Sequence, residues 1–282
     1  MKGNKNTPSP SPSPYYTASA MHVRLLKKPA KRSRKGDNGI LLAIAGSKQY
    51  HGASIFVGLA ASRIVDLVYF CTEKENIPFV KKASPEFIVS ETKDYEKCIG
   101  KCDAVLIGPG ISENALNRKT VNRILSHYRQ KKTVLDAAAL YLADKKLLHE
   151  NCALTPHAGE FRKAFGKKAT KENLKTVSKK FRAVIVLKGH VDLIAVNGKI
   201  YGNYTGNQGM TKGGTGDILA GLIAGFACKN DLLLSCLAAC YLNGLAGDLL
   251  EKEKGYMYNA ADLLEKIPEA KKACEKTRSG SF

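Results

Sequence analysis

Short apolar runs alternate along the chain with longer segments in which apolar residues recur at the spacing of a helix. The runs are rich in aliphatic and β-branched residues, as expected of strands buried on both faces. This alternation predicts an α/β fold with a mainly parallel sheet flanked by helices on both faces. The predicted strands are 40–46, 66–72, 103–110, 132–137 and 183–189, and the predicted helices are 53–65, 114–130, 217–229, 231–253 and 260–265.

An antiparallel edge is expected within 191–203, where two strand-like runs surround Asn197 and Gly198. An Asn-Gly pair is typical of the two-residue turn of a β-hairpin. The sheet should therefore carry a hairpin beside its parallel strands. The chain has no internal repeat of fixed period, so a solenoid or propeller is not predicted.

The chain of 282 residues suits one large α/β domain. Residues 1–20 contain little that could be buried, and 27–35 is a dense basic stretch. The predicted organisation is a mobile basic N-terminal segment over 1–35, a single domain over 36–270 and a C-terminal tail over 271–282.

The positive charge predicts an anionic partner. Lys and Arg number 45 against 25 Asp and Glu, a formal charge of +20, and such a surface attracts phosphorylated metabolites or nucleic acid. Nucleic-acid binding through the basic arm from Lys27 to Lys35 is one interpretation, and that binding would weaken steeply with salt. A solvated basic arm is the alternative, and no aromatic stacking motif favours nucleic acid.

The eight cysteines form neither a Cys-x-x-Cys pair nor a Cys/His zinc spacing. Neither a zinc site nor a disulfide framework is therefore predicted. No continuous run reaches the roughly 18 apolar residues that a membrane-spanning helix needs, and the N-terminus lacks a secretion signal. We expect a cytoplasmic protein that does not enter a membrane.

A glycine-rich loop precedes the helical pattern that starts at Ile218. Glycines let the backbone approach a phosphate closely, and the amides at a helix N-terminus point their donors towards it. The loop matches neither the Walker motif nor the dinucleotide-binding fingerprint. The sequence therefore predicts a distinct anion site, formed by Gly213, Gly214, Thr215 and Gly216.

Asp217 follows this loop, where a carboxylate could take the proton of an attacking hydroxyl. That arrangement is typical of a small-molecule kinase. Asp is also a favoured N-cap residue, so Asp217 could instead only cap the helix. His157 in 155–160 has a similar alternative, a structural role in a turn at Pro156.

Six loops occur in the order GSKQYHGA, GPG, DAAAL, TPHAGEF, LKGH and GNQGMTKGGTGDILAG. From about Ser33 to Asp248 the chain thereby resembles the dehydratases that act on the S epimer of hydrated NADH and NADPH, which have a ribokinase-like fold. The glycine–Asp motif alone is shared by other ribokinase-like enzymes, including hydroxymethylpyrimidine and thiazole kinases. The loops GNQGM, TPHAGE and LKGH favour the dehydratase.

The resemblance implies a set of site residues. Those bordering the hydrated nicotinamide nucleotide would be Ala53, Gly110, His157 and Asp217. Those facing the phosphate donor would be Lys188, Gly189, His190, Val191, Asp192 and Gly216. One departure is Ala138, which stands where the family often has a second Asp, so no role for a carboxylate is expected at that position.

The resemblance also implies a reaction. Hydroxide is a poor leaving group, so the enzyme would phosphorylate the hydroxyl of the hydrate and then eliminate phosphate to restore NADH or NADPH. Bound Mg²⁺ would assist, ADP is favoured as donor with ATP left open, and the amides around Asp217 should keep it a modest base. We further expect a homo-oligomer, a tetramer in the family, and an epimerase on a separate protein. The alternative is a kinase of the same fold, which would stop at the phosphorylated product.

Overall fold

The protein structure, a computed structural model, describes residues 16 to 276. A nine-stranded sheet has the order β3-β2-β1-β4-β5-β6-β7-β8-β9. Neighbouring strands from β3 to β7 pair in parallel, and β8 and β9 are antiparallel. The strands are β1 Ile40–Ile44, β2 Leu67–Thr72, β3 Ile88–Glu91, β4 Ala104–Ile107, β5 Lys132–Leu135, β6 Cys152–Leu154, β7 Val184–Leu187, β8 Asp192–Val196 and β9 Lys199–Asn203.

Helices accompany the sheet throughout residues 16 to 276. The α-helices are α1 Ala20–Leu25, α2 His51–Ser62, α3 Ile77–Ala83, α4 Glu96–Ile99, α5 Ala115–His127, α6 Ala139–Leu142, α7 Ala158–Phe165, α8 Lys171–Phe181, α9 Thr215–Ala227, α10 Leu232–Lys254 and α11 Ala260–Lys276. Short 3-10 helices occupy Lys74–Asn76, Thr92–Asp94, Lys145–Leu147 and Gln208–Thr211.

Each face of the parallel sheet is buried in its own apolar core. In β1, Leu41 and Ala43 join the core formed with α2, α9, α10 and α11. The alternate residues Leu42 and Ile44 join the core formed with α5 and α6. Both sets are completely buried, because side chains of one strand alternate between the two faces. The predicted α/β class with helices on both faces is confirmed.

The predicted antiparallel hairpin is also confirmed. Asn197 and Gly198 join β8 to β9 with φ of 49° and 80°, respectively, the positive values that a type I′ turn requires. The preceding strand pair is antiparallel as well, with Ile185 of β7 opposite Ala195 of β8.

Helix α10 is long and apolar enough to cross a membrane by length and composition alone. Its most apolar 18-residue window is 67% buried inside the protein, which is the behaviour of a core helix. Its apolar residues therefore pack the domain instead of forming a lipid-facing surface.

The N-terminal prediction needs correction for residues 16 to 35, while 1 to 15 lie outside the described residues. A short helix, α1, packs against α10 and α11, and its Val23 is 1% exposed. The backbone of Lys27 donates to Asn230 Oδ1 at 2.8 Å. A few apolar side chains in a basic stretch are enough to anchor it, so the folded unit begins before residue 36.

The end of the domain also differs from the prediction. The helix expected at 260–265 continues to Lys276, passing through Pro268. Cys274 on its last turn is buried, and this extends the packed chain into the predicted tail. Residues 277–282 of that tail lie outside the described range. No pattern in the sequence predicted the helices α3, α4, α6, α7 and α8, the edge strand β3 or the three-residue strand β6.

Candidate functional site

The carboxyl ends of β5, β6 and β7 bring together three polar side chains. Asp136 follows β5, Thr155 follows β6 and Lys188 follows β7. The Thr155 hydroxyl donates to Asp136 Oδ1 at 2.7 Å, and Lys188 Nζ donates to the same oxygen at 2.9 Å. Ligands of open α/β sheets bind beyond these strand ends, so this buried ion pair marks the candidate site.

Glu160 and His157 extend the site from the start of α7. The Glu160 carboxylate lies 3.8 Å from Lys188 Nζ and accepts the His157 amide at 2.8 Å. His157 Nδ1 in turn accepts the amides of Gly159 and Glu160, which completes a capping box. These acceptor bonds place the ring proton on Nε2. His157 therefore has a structural role in addition to its place beside the site.

The glycine-rich loop lies at the N-terminus of α9, as predicted. Gly214 is the N-cap residue, with a φ of 96° that strongly favours glycine. Thr215 and Gly216 form the first turn, where the amides have no acceptor within the helix. A β-carbon at Gly216 would lie 3.6 Å from Lys188 Nζ. The lysine ammonium and the helix N-terminus thus concentrate positive charge at one point.

Asp217 is the third residue of α9, so the helix is capped by Gly214 and not by Asp217. Burial raises the pKa of Asp217, and the carboxylates of Asp136 and Glu160 raise it further, while Lys188 lowers it; the result is about 7. The expectation that the helix amides would keep Asp217 a modest base is therefore wrong, because the pKa of its carboxyl is raised and not lowered. A carboxyl with a pKa near neutrality is well matched to general-base work.

The charge of Lys188 is fixed by its neighbours. Burial alone would lower the pKa of its ammonium group, but Asp136, Glu160 and Asp217 together hold that pKa above its ordinary value. The lysine therefore remains a cation inside a cluster of three carboxyl groups. This cluster, formed by Asp136, Glu160, Lys188 and Asp217, is called the acidic quartet below.

Ala53 and Gly110 lie together, although Ala53 is in the first turn of α2 and Gly110 is in the loop after β4. A β-carbon at Gly110, whose φ is 67°, would lie 2.9 Å from the Ala53 β-carbon. One turn further along α2, the ring of Phe56 packs against Gly214 at the start of α9. The predicted substrate residues Ala53 and Gly110 are thereby placed next to the glycine-rich loop that precedes Asp217.

A cleft of about 570 Å³ opens on the other side of the loop, within the usual size range of ligand sites. Among the residues predicted to face the phosphate donor, Val191 does not line the cleft. The lining includes Lys188, Gly189, His190, Asp192 and Gly216. His157, assigned to the nicotinamide substrate, lies on this wall of the site.

Asp192 stabilises the turn that borders the cleft. Its carboxylate accepts the Gly189 amide at 3.1 Å and the Asn203 side-chain amide at 3.2 Å. Burial raises the pKa of Asp192, although these two hydrogen bonds and Lys188 oppose the rise. The carboxylate thus shapes the 189–192 turn.

The opposite wall is a loop held by Asn207, Asp248 and Tyr258. The Asp248 carboxylate accepts the Gly206 amide at 3.1 Å and the Asn207 side chain at 3.3 Å. The Tyr258 hydroxyl donates to Asn207 Oδ1 at 2.6 Å. The same oxygen caps the 3-10 helix Gln208–Thr211 through the Gly209 amide. The cleft wall is therefore built from contacts with Asp248 of α10 and with Tyr258, which lies between α10 and α11.

Asp136 and Glu160 were not predicted as members of the site, although both stand in segments singled out from the sequence, 136–140 and 155–160. Asp136 carried a signal, because it follows a buried strand directly. Glu160 carried none, because His157 is not among the residues that usually begin a capping box. Asn207, Asp248 and Tyr258 carried no comparable signal, because their contacts join segments about 40 to 50 residues apart.

The residues of the site do not form a metal cage. Among residues 16 to 276, no group of three or more His, Cys, Asp or Glu side chains could hold a metal ion. Mg²⁺ often keeps several waters and binds one or two carboxylates together with substrate phosphates. The acidic quartet meets this lesser requirement, since it offers carboxylates beside the predicted phosphate position.

A family model described as NAD(P)H-hydrate dehydratase matches residues 41–269. A relative from Nitrosopumilus maritimus, an ADP-dependent (S)-NAD(P)H-hydrate dehydratase, is 36% identical over 280 residues, covering 91% of this chain and 96% of the relative. A bifunctional NAD(P)H-hydrate repair enzyme from Methanocaldococcus jannaschii is 40% identical over 256 residues. The match covers 87% of this chain and only 50% of that relative.

Two solved structures are also similar to this chain. An ADP/ATP-dependent NAD(P)H-hydrate dehydratase from Bacillus subtilis, co-crystallised with ATP and Mg²⁺, has a TM-score of 0.80 and 28% identity, and the match covers 92% of this chain and 98% of that one. A ribokinase-like protein from Enterococcus faecalis has a TM-score of 0.83 and 27% identity, with 92% and 96% covered. The predicted ribokinase-like fold is thus confirmed.

Proposed function

The chain belongs to the NAD(P)H-hydrate dehydratase family, and on that premise we propose that it repairs the S epimer of hydrated NADH and NADPH. The reaction is a nucleotide-dependent dehydration with ADP as the favoured phosphate donor. Two ADP-dependent (S)-NAD(P)H-hydrate dehydratases support ADP, because the match covers 96% and 93% of their lengths. The chain spans about half the length of the bifunctional relatives that it matches.

The observation that carries this proposal is the position and pKa of Asp217. The carboxyl stands in the first turn of α9, has a pKa of about 7, and is flanked by Lys188 and the helix amides. A group of this kind can accept a proton from a neutral hydroxyl at the point where a phosphoryl group is held. The site therefore supports phosphoryl transfer to an alcohol.

The first step proposed is transfer of phosphate to the substrate. Asp217 takes the proton of the hydrate hydroxyl, whose oxygen then bonds to the terminal phosphorus of the donor while the bond to the leaving nucleotide breaks. The amides of Gly213, Gly214, Thr215 and Gly216 and the Lys188 ammonium stabilise negative charge on the phosphoryl oxygens. Their fixed positions supply much of the catalysis.

The second step is elimination. The ring nitrogen of the reduced nicotinamide donates its electrons as the carbon–oxygen bond to phosphate breaks. Loss of a proton from the adjacent ring carbon restores the double bond and hence NADH or NADPH. Ala53 and Gly110, the small residues beside α9, leave room for the ring at this point.

We propose that Mg²⁺ enters with the nucleotide. The residues that would hold it are carboxylates of the acidic quartet, and the ion would neutralise charge on the donor phosphates.

We further propose that the protein is a homo-oligomer, expected to be a tetramer, and that the epimerase is a separate protein. Its proposed location is cytoplasmic. The eight cysteines support that location, because all of them remain free thiols, as is usual in a reducing compartment.

Product analysis tests the proposal against a kinase of the same fold. The protein is incubated with hydrated NADH and either ADP or ATP, and the products are separated after one turnover. The proposal predicts NADH and inorganic phosphate in equal amounts. A stable phosphorylated hydrate as the end product would instead identify a small-molecule kinase and overturn the dehydratase assignment.

A further inference from the structure

A second cleft, of about 700 Å³, lies at the opposite end of the domain from the acidic quartet. Helices α2 and α9 both begin at the candidate site, and the residues that follow them, Arg63 and Lys229, line this cleft. A helix of 13 residues such as α9 is about 20 Å long at about 1.5 Å per residue. The two clefts are therefore separate.

The second cleft is strongly basic. Its lining includes six cations, Lys27, Lys28, Arg32, Arg63, Lys229 and Lys271, against a single carboxylate, Asp37. The nearby carbonyl groups at the end of α9 do not cancel this charge. Lys132 Nζ binds the carbonyl oxygens of Ala227 at 2.9 Å and Asn230 at 2.7 Å, and this offsets the negative end of the helix dipole.

Half of these cations are already paired. Lys28 and Lys271 share the carboxylate of Glu275, at 3.2 and 3.0 Å, and Lys229 pairs with Asp103 at 3.2 Å. Within the described part of the chain, the exposed side chains of Lys27, Arg32 and Arg63 have no ion-pair partner. Three cations without an ion-pair partner thus face one concave space, in which Asp37 supplies the single carboxylate.

The floor of the cleft is apolar. Leu26, Ile64, Phe226 and Ile267 contribute to its lining and belong to the core beneath it. A purely solvated basic surface would not need an apolar depression of this size. Apolar walls combined with a few placed charges are instead the usual composition of a small-molecule site.

We propose that this cleft binds a small phosphorylated molecule that carries an apolar ring or chain. The unpaired Lys27, Arg32 and Arg63 contact the phosphate groups, and the apolar part lies on Ile64 and Phe226. A long polyanion fits less well, because it would use a flat or continuous basic track and would leave the apolar floor uncovered.

Anilinonaphthalene sulfonate, an anion on apolar rings, is a suitable probe for the full-length protein. Its fluorescence is titrated without nucleotide, because ADP itself belongs to the ligand class proposed for this cleft. The readout is binding and not turnover, so a failed dehydratase assay has no bearing on the result. The expected result is saturable binding that pyrophosphate displaces. The double variant K27A/R63A should weaken binding about 100-fold, since each of the two lost charge-assisted contacts corresponds to about tenfold, or about 1.4 kcal/mol.

The matched control is K119A/K252A, which removes the same charge from two exposed sites outside the cleft. The proposal requires this variant to bind the probe like the parent. Equal weakening in both variants, or in neither, would overturn it. A short single-stranded oligonucleotide is titrated in parallel, and tighter Arg63-dependent binding of the oligonucleotide than of the probe would overturn it in favour of a nucleic-acid surface.

Discussion

At the scale of single residues, the surroundings of Asp217 decide how readily its carboxylate takes a proton. The direction of its pKa shift could not be predicted, because Asp136 and Glu160 approach it from other parts of the chain. The local helix amides would lower the pKa of a carboxyl, whereas burial and these two carboxylates raise the pKa of Asp217.

The raised pKa of Asp217 predicts a pH-dependent stability difference for Asp217→Asn. In the unfolded chain an Asp has a pKa of about 4, whereas in the folded protein this value is about 7. The parent therefore loses stability as pH rises through this window, and Asn does not titrate. The variant should become more stable relative to the parent between about pH 4 and pH 7, by at most about 4 kcal/mol. Urea unfolding at several pH values measures this, and a pH-independent difference would contradict the raised pKa.

The Lys188 ammonium offsets the negative charge of the three carboxyl groups around it, and we expect it to bind the nucleotide as well. ADP or ATP should raise the melting temperature of the parent, since both bind only the folded state, and Lys188→Ala should reduce that rise. Removing the ammonium also removes the one charge that lowers the pKa of Asp217, so the acidic limb of the activity profile should move to higher pH. Lys188→Arg keeps the charge and serves as the control. An unchanged nucleotide shift in Lys188→Ala would contradict the assignment.

At the scale of secondary-structure elements, prediction succeeded where the pattern was local. Strand β1, its neighbours β2 and β4, and the Asn197-Gly198 turn were all visible as short-range signals. Helix α1 was not, because its stability depends on α10 and α11, about 220 to 240 residues away. The same holds for the 206–211 loop, whose conformation is fixed by Asp248 and Tyr258.

Tyr258→Phe tests whether that loop shapes the nucleotide cleft. The change removes the hydroxyl that donates to Asn207 Oδ1 and leaves the ring in place. One hydrogen bond contributes about 0.5 to 1.5 kcal/mol, so KM for ADP should rise about 2- to 12-fold, with a smaller effect on kcat. The control is Tyr256→Phe, at a ring that is 52% exposed. Equal kinetics for Tyr258→Phe and the parent would show that the loop holds its shape without this contact.

The contribution of α1 can be measured with a pair of truncations to alanine, one at a buried and one at an exposed position. Val23 is 1% exposed and Leu25 is 60% exposed. Val23→Ala should lower the free energy of unfolding by about 1 to 3 kcal/mol, because it removes buried methyl groups. Leu25→Ala should change it by about 0.5 kcal/mol or less. Equal and small effects in chemical unfolding would mean that α1 is not part of the folded unit.

At the scale of the whole molecule, the α/β class and the parallel sheet followed from the alternation of apolar runs and helical segments. The strand order did not, since periodicity says nothing about which strands are neighbours. The carboxyl ends of the strands were the predicted place of the chemistry, and Asp136, Thr155 and Lys188 meet there. The glycine loop was assigned to that same end from sequence, whereas the basic cleft at the other end needed the tertiary packing of α1 and α11.

Turnover of hydrated NADH by Asp217→Asn tests the central claim most directly. The protein is mixed with the hydrate, ADP and Mg²⁺, and the returning absorbance of the reduced nicotinamide gives the rate. The control is Asp231→Asn, which makes the same change at the start of another helix, where the carboxylate caps α10. Loss of a general base typically costs about 100- to 10,000-fold in rate. We predict that loss for Asp217→Asn with nucleotide binding retained, and near-parent turnover for Asp231→Asn. A folded Asp217→Asn protein within about threefold of the parent rate would contradict a role for Asp217 as the general base.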